Sequence, residues 1–265
     1  MTVLPGLLVV SPASVDSFLG QAGGPDGKRA FGGLLMAQSL SAACQTVDPD
    51  MRPTAMHLQY LRGGEAGAVT DYTVARVYDG RTAASRRVEA FQAGRLLTVA
   101  TVSYSSELSG PSHAESSSVP EDPECLPLTG PPGPAPAVPL DELDIRIVDD
   151  RSSGEFVRRM WWRATVPMPP EPLVHMMIAC YVTDLYGIDP ALQVHGHSMQ
   201  ARTHRSGTTD FSIWFHHPIR ADRWNLLESR SPAAGRGRGV ITGSLVAADG
   251  TRVATLVQEG LIADR

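Results

Sequence analysis

The feature that most constrains this chain is that it repeats itself. Met56-His-Leu-Gln-Tyr-Leu61 laid over Phe211-Ser-Ile-Trp-Phe-His216 gives an offset of 155 residues, and Gly80-Arg81 over Gly235-Arg236 keeps it. Gly94 over Gly250 gives 156. Strand, strand, turn, strand, turn, strand therefore recurs nearly in register. An apolar helix precedes each block: Gly33-Leu-Leu-Met-Ala matches His175-Met-Met-Ile-Ala at an offset of 142. The second half thus carries about thirteen extra residues between helix and next strand, around Asp189 to His204. We read two copies of one helix-plus-antiparallel-sheet unit, an α+β chain, and 265 residues are ample to bury a core for both.

The strands are legible from alternation and turn chemistry. In the first half they are Met56–Leu61, Asp71–Tyr78 ending at Asp79-Gly80, Ser85–Gln92 ending at Ala93-Gly94, and Leu96–Tyr104. In the second they are Ile145–Val148, Met160–Thr165, Thr208–Pro218, Trp224–Ser229, Gly237–Val246 and Arg252–Gly260, with a turn at Ala248-Asp-Gly250. Phe31–Cys44 and Leu173–Leu185 read as helices, the second announced by Pro172 and closed by Gly187 and Pro190. Between the halves, residues 107–142 are crowded with Pro, Ser and Gly and read as an extended or mobile linker with no buried element. The expected organisation is 1–106, a linker at 107–142, and 143–265.

A net charge of -5 gives no support to broad nucleic-acid binding. Met1–Val10 is apolar but short and broken by Pro5-Gly6, which predicts an initial strand or turn and not a signal peptide. No run is long enough to span a membrane. Three cysteines, Cys44, Cys125 and Cys180, lack metal-like spacing and suit a reducing cytoplasm.

The repeat is unequal in one respect. Leu173, Met177, Cys180 and Asp184 form one helical stripe, so a carboxylate ends a face that otherwise reads as core. Its counterpart is Ala42. Thr208 falls over Pro53, and Gln258 over Val102. Three polar positions exist in one copy only, which a structural role common to both copies would not predict.

Phe31-Gly-Gly, Tyr60-Leu-Arg, Asp79-Gly-Arg, Ser85-Arg-Arg-Val, Tyr181-Val-Thr-Asp-Leu185, Ser212-Ile-Trp-Phe-His-His-Pro218 and Val257-Gln-Glu-Gly260, in this order, resemble the type II (TesB-like) acyl-CoA thioesterases. The resemblance covers nearly the whole chain outside the linker, and Gly63-Gly64 departs from the family's usual Pro-Gly. It implies a double hotdog fold: two antiparallel sheets, each wrapped around a central helix. It implies hydrolysis of an acyl-CoA without metal or other cofactor, with the hydrolytic water held by Asp184, Thr208 and Gln258. Thr209 leaves the threonine register open by one. Asp184 could act as general base or attack the thioester directly. Gly33 could offer an oxyanion-binding amide from the other helix. Met177 could line an acyl tunnel, and Arg236 could meet coenzyme A phosphates, as could Arg238, Arg86, Arg87, Arg202 or Arg205. The resemblance further suggests homo-oligomers paired through sheet surfaces such as the Trp161-Trp162 strand.

Other readings are weaker. His195-Gly-His197 with His204 lacks the carboxylate or thiolate that would complete a metal set. Asp189-Pro190 is only part of a hotdog hydratase pattern, with His195 one position too far. Gly235-Arg-Gly-Arg-Gly239 precedes a strand and lacks a Gly-Lys-Ser/Thr ending, against a nucleotide loop. A non-catalytic acyl-CoA-binding protein on the same fold is the alternative of another class.

Overall fold

The computed structural model describes residues 3–21, 23–24, 27–114, 122–129, 140–151 and 155–265. The first half contains α1 (Leu4–Leu8), β1 (Ser11–Ser14), β2 (Ser17–Gly20), α2 (Gly32–Cys44), β3 (Arg52–Tyr60), β4 (Thr70–Asp79), β5 (Ala83–Gln92) and β6 (Arg95–Ser105). The second contains β7 (Leu143–Asp150), β8 (Val157–Ala164), α3 (Pro172–Thr183), α4 (Asp189–Gln193), β9 (His204–Phe215), β10 (Asn225–Gly235), β11 (Arg238–Ala247) and β12 (Arg252–Asp264).

The two antiparallel sheets are fused edge to edge into one of twelve strands, ordered β1-β2-β4-β5-β6-β3-β9-β12-β11-β10-β8-β7. That order is a palindrome about the β3/β9 join. His57 faces Ser212 there, and the sequence offset of 155 maps His57 onto that same residue. A local twofold axis therefore passes between them, and the repeat read from sequence is the symmetry of the fold. The join leaves each half one fewer sheet edge exposed. α2 and α3 lie together within one apolar cluster that includes Leu35, Leu40, Ile178, Tyr181, Phe211 and Leu256, which makes the architecture a double hotdog.

The helices differ in how they meet their sheets. The backbone of α2 runs close to β2 through β6 at many points, whereas α3 makes no comparable approach to β10, β11 or β12. The start of α2 meets the end of α3: a Cβ on Gly33 would collide with the Tyr181 carbonyl, and the Phe31 ring packs edge-on against Tyr181 at 5.0 Å. Glycine is required there for close approach of the two backbones.

Three expectations need correction. The N-terminal residues form the short helix α1, not a strand or simple turn. Its Leu4, Leu7 and Leu8 are buried, and the Glu142 carboxylate accepts from the amides of Val3 (2.7 Å) and Leu4 (2.6 Å) at its start. The anion comes from far along the chain, so no local pattern announces this helix. Second, part of the expected linker is docked. Arg146 donates to the carbonyls of Pro123 (2.7 Å) and Leu126 (2.9 Å), Thr129 Oγ1 accepts from the Ile147 amide, and Pro123 is buried. Residues 131–139, where much of the remaining proline lies, are outside the described residues. Third, Trp161 and Trp162 are 1% and 0% exposed, so they offer no surface for self-association. Leu126 and Trp224 cover the Trp161 side, and the large exposed aromatic of the sheet centre is Trp214, at 44%.

Candidate active site

α3 is a helix because Pro172 sets its first turn, no Gly or Pro interrupts it, and apolar residues cover nearly every side. It stops at Thr183, whose hydroxyl turns back to the Cys180 carbonyl (3.0 Å). Asp184 is the residue that closes the helix, partly buried and pointing between the halves. Its carboxylate meets groups from both halves. An added Cβ on Gly32 would lie 2.6 Å from Oδ2, and the Gly33 amide donates to the carboxyl group. Both glycines belong to the first turn of α2, where N–H groups have no helical partner.

Thr208 reaches Asp184 because β9 is bulged. Inward residues of β9 alternate as Phe211 and Ile213, both fully buried, which would aim Thr209 inward and Thr208 outward. Opposite β12, however, the register slips between the pairs Glu259–Asp210 and Gly260–Thr208, so Thr209 is the extra residue. The slip reverses the alternation. Thr208 Oγ1 then donates to Asp184 Oδ1 at 2.8 Å, while Thr209 Oγ1 turns to Glu259 and accepts from Arg238. The same slip occurs at Thr54 in β3, between the pairs Pro53–Tyr104 and Ala55–Ser103. The bulge belongs to the repeated unit, and only the second copy places a hydroxyl after it.

Gln258 comes from β12, inward and 1% exposed. Its Nε2 donates to Thr208 Oγ1 (2.5 Å) and lies 3.4 Å from Asp184 Oδ1. A donor chain therefore runs Gln258 to Thr208 to Asp184. Gln258 Oε1 is a buried acceptor with no partner among the described residues. Gly187 lies against this amide, and a Cβ there would collide with Oε1.

Burial pushes the Asp184 carboxyl up to about 6, against the Thr208 hydroxyl, the Gly33 amide and the positive charge of Arg29, which favour the ionised form. A carboxylate poised there is ionised at neutral pH yet more basic than an exposed one.

Two neighbours escaped the sequence reading. Arg29 is exposed at the mouth, near Gly63 and Gly207 from opposite halves, and is close enough to act on Asp184. Tyr60 donates its hydroxyl to the Gly32 carbonyl (2.9 Å), steadying the turn that faces Asp184. Tyr60 stood in a family-like motif but suggested no contact, and nothing in Lys28-Arg29 marks it off from a solvated pair.

The remaining candidates are placed differently. Gly33 is in the site, but its amide faces Asp184 itself. Met177 is 1% exposed within the apolar cluster and is not among the residues lining the pocket behind Gln258. Arg236 occupies the exposed β10–β11 hairpin turn with φ 54°, on a strand pair set apart from β9 by β12. Arg86 is not a phosphate ligand: it is 1% exposed and bound within the first half. Asp189 is ion-paired with Arg158 (2.5 Å) and accepts from the Met199 amide, so it is not free to partner a histidine in hydration chemistry. The His197 and His204 rings meet at a tilt with centres 4.5 Å apart, and among the described residues no cluster of three His, Cys, Asp or Glu is arranged to hold a metal ion. No helix among the described residues is long and apolar enough to cross a membrane.

Comparison with known proteins gives a consistent result. Residues 22–105 match the family described as acyl-CoA thioesterase N-terminal domain, and residues 120–262 the acyl-CoA thioesterase C-terminal domain. The chain is 29% identical to human acyl-coenzyme A thioesterase 8, over 97% of this chain and 87% of that protein. It is 27% identical to acyl-CoA thioesterase 2 of Haemophilus influenzae, over 89% and 88%. Among solved structures, acyl-CoA thioesterase II TesB2 of Mycobacterium marinum superposes with a TM-score of 0.87 at 29% identity, covering 99% of each chain.

Proposed function

The chain belongs to the acyl-CoA thioesterase family, and from that membership we propose that it hydrolyses acyl-CoA with Asp184 as the base and Thr208 and Gln258 as the groups that orient base and water. The observation that carries the assignment of residues is the junction of Asp184, Thr208 and Gln258, brought together from α3, β9 and β12 with contacts of 2.5–3.4 Å.

In this reading the water oxygen attacks the thioester carbon while Asp184 takes its proton. The unpartnered Gln258 Oε1 supplies an acceptor for the second water hydrogen. The tetrahedral intermediate collapses, the C–S bond breaks, and the departing sulfur takes the proton, leaving a carboxylic acid and coenzyme A. Arg29 at the mouth supplies positive charge near the developing oxyanion. A mixed anhydride on Asp184 is the competing route. A single turnover in oxygen-18 water, followed by mass analysis of the Asp184 peptide, identifies the anhydride when label appears in the side chain, which happens only if water opens an anhydride at the Asp184 carbon.

The assignment is tested by free-thiol release from a panel of acyl-CoA esters, with Asp184→Asn as the control. Turnover by the parent and its loss in a folded variant are expected. A parent chain that is stabilised by acyl-CoA but never cleaves it would instead be a binding protein.

A further inference from the structure

Gly187 reads in the sequence as part of the signal that closes α3, and neither capping nor backbone conformation accounts for glycine there. α3 ends at Thr183 with Asp184 as its cap, so Gly187 lies three residues past the cap, beyond the position where a helix end favours glycine. Its φ is not positive, unlike that of Gly94, Gly196 or Gly250, so the path of the chain does not call for glycine. Space does. The three atoms that a Cβ on Gly187 would meet first all belong to the Gln258 amide: Oε1, then Nε2 at 2.6 Å and Cδ at 2.8 Å.

The turn cannot retreat to make room. Ile188 is buried and packs on Gly260, where a Cβ would lie 2.5 Å from its Cδ1. The Asp189 amide donates to the Tyr186 carbonyl (3.1 Å), and the Asp189 carboxylate is fixed by Arg158 (2.5 Å) and the Met199 amide (2.7 Å). Arg158 is held in turn by Asp149 through two bonds of 2.8 Å. A methyl added at 187 therefore displaces the flexible end of Gln258 and not the turn. The copies diverge at this point. At the offset of the helices, Gln45 stands where Gly187 does, and it spends its amide on the Val10 carbonyl (3.0 Å). One copy has a glutamine on the turn and Val102 on the strand; the other has no side chain on the turn and Gln258 on the strand.

We propose that Gly187 is a positioning residue for hydrolysis: the bare backbone it presents, pinned through Asp189 and Arg158, seats the Gln258 amide against Thr208 and so keeps the donor chain to Asp184 in line. The inference rests on the thioesterase reading above. Any side chain at 187 pushes the amide off Thr208 and leaves the packing of α3 and β12 in place.

The test is a double-mutant cycle of Gly187→Ala and Gln258→Ala, with kcat, KM and thermal melts, on whichever of butanoyl-, octanoyl- and hexadecanoyl-CoA the parent cleaves best. Gly187→Ala is expected to lower kcat about tenfold, the loss of one well-placed hydrogen bond, with KM within about twofold and melting within about 3 °C of the parent. In the Gln258→Ala chain the same substitution should cost no more than about twofold, because the amide it displaces is gone. A residue that only supports the fold would cost the same in both backgrounds. Equal losses in the two backgrounds, or a Gly187→Ala chain as active as the parent, overturn the proposal and leave the thioesterase reading standing. If Gly187→Ala alone does not fold, restored folding in the double variant supports the proposal, and a double variant that also fails to fold overturns it. Full activity in Gln258→Ala overturns it together with the role given to Gln258, and a parent that cleaves none of the three esters overturns the thioesterase reading as well.

Discussion

The two halves share a scaffold and fill its centre in opposite ways. Arg86 faces Val102 across β5 and β6, and Ile241 faces Gln258 across β11 and β12. Val102 and Gln258 are equivalent, so Arg86 and Ile241 are as well. In the first half the space between helix end and sheet takes the Arg86 guanidinium. All five of its N–H groups find acceptors: Thr46 Oγ1, the carbonyls of Thr46, Tyr78 and Ser85, and Asp79 Oδ1. In the second half the equivalent position is the apolar Ile241. Gln258 enters instead, with an acceptor left over and a pocket beside it. At this position one copy is closed and satisfied, and the other is open and carries an unmet amide oxygen. Unmet buried groups cost stability, and they persist where a ligand meets them.

The contrast is broken most severely at Asp184. Asp184→Asn should lower kcat by about 10²–10⁴-fold, the contribution expected of a positioned base, in an assay of thiol release. Adding Ala42→Asp should not restore activity, because Pro53 and Val102 offer the transplanted carboxylate no donor. Thr208→Val, which removes a hydrogen bond to a charged group, should cost about 10–100-fold.

Copying the second half into the first has a different signature. Arg86→Ile strips donors from three carbonyls, of which that of Thr46 is buried, and should cost about 2–4 kcal/mol in urea unfolding. Its kcat should stay within about twofold of the parent, since Arg86 touches only first-half residues. A fall in kcat without loss of stability would mean that the first half contributes more to catalysis than the start of α2.

Much of this was legible in the sequence because it depends on local periodicity. Strand alternation, turn glycines and the apolar helices account for ten of the sheet strands and both long helices. Comparing the copies marks three polar positions present in one half only, and the family resemblance joins them into one site. What stayed hidden depends on contacts made at long range. The helix α1 needs Glu142, and the burial of Arg86 needs Thr46 and Tyr78. α4 is five residues long and held by Arg158, too short to show a helical period. Trp161 reads as an exposed strand residue until Leu126 and Trp224 are folded over it.

A smaller effect separates the halves by pH. Burial raises the Asp184 carboxyl from 3.8 to about 6, so the folded chain holds its proton more tightly than the unfolded one. Stability from this group is therefore full below pH 4 and is lost as pH rises through about 6. Asp184→Asn should gain on the order of 1–3 kcal/mol over the parent at pH 7–8, less whatever solvent screening and the Gly33 amide remove, and the gain should vanish near pH 4. Activity runs the other way, with kcat/KM rising through pH 6 as the base ionises. Thermal melts and rates across pH 4–8 read both. Ala42 gives the first half no matching titration.

The smallest expected effect tests the bulge. Thr208 and Thr209 are adjacent and chemically identical, and composition alone cannot rank them. The slipped register against β12 turns only Thr208 to Asp184, and Thr209 spends its hydroxyl on Glu259 and Arg238 at the partly exposed edge. Thr209→Val should therefore change kcat/KM by no more than about twofold, the range of a surface substitution. A loss as large as that of Thr208→Val would mean that β9 pairs in the unslipped register when substrate is bound. The equivalent slip at Thr54 argues against that, because a bulge present in the half that lacks the triad is a property of the scaffold and not of the site. Thr54→Val in the same assay should be as silent as Thr209→Val, and activity that responds to one and not the other would show that the two joined strands β3 and β9 do not hold their bulges alike.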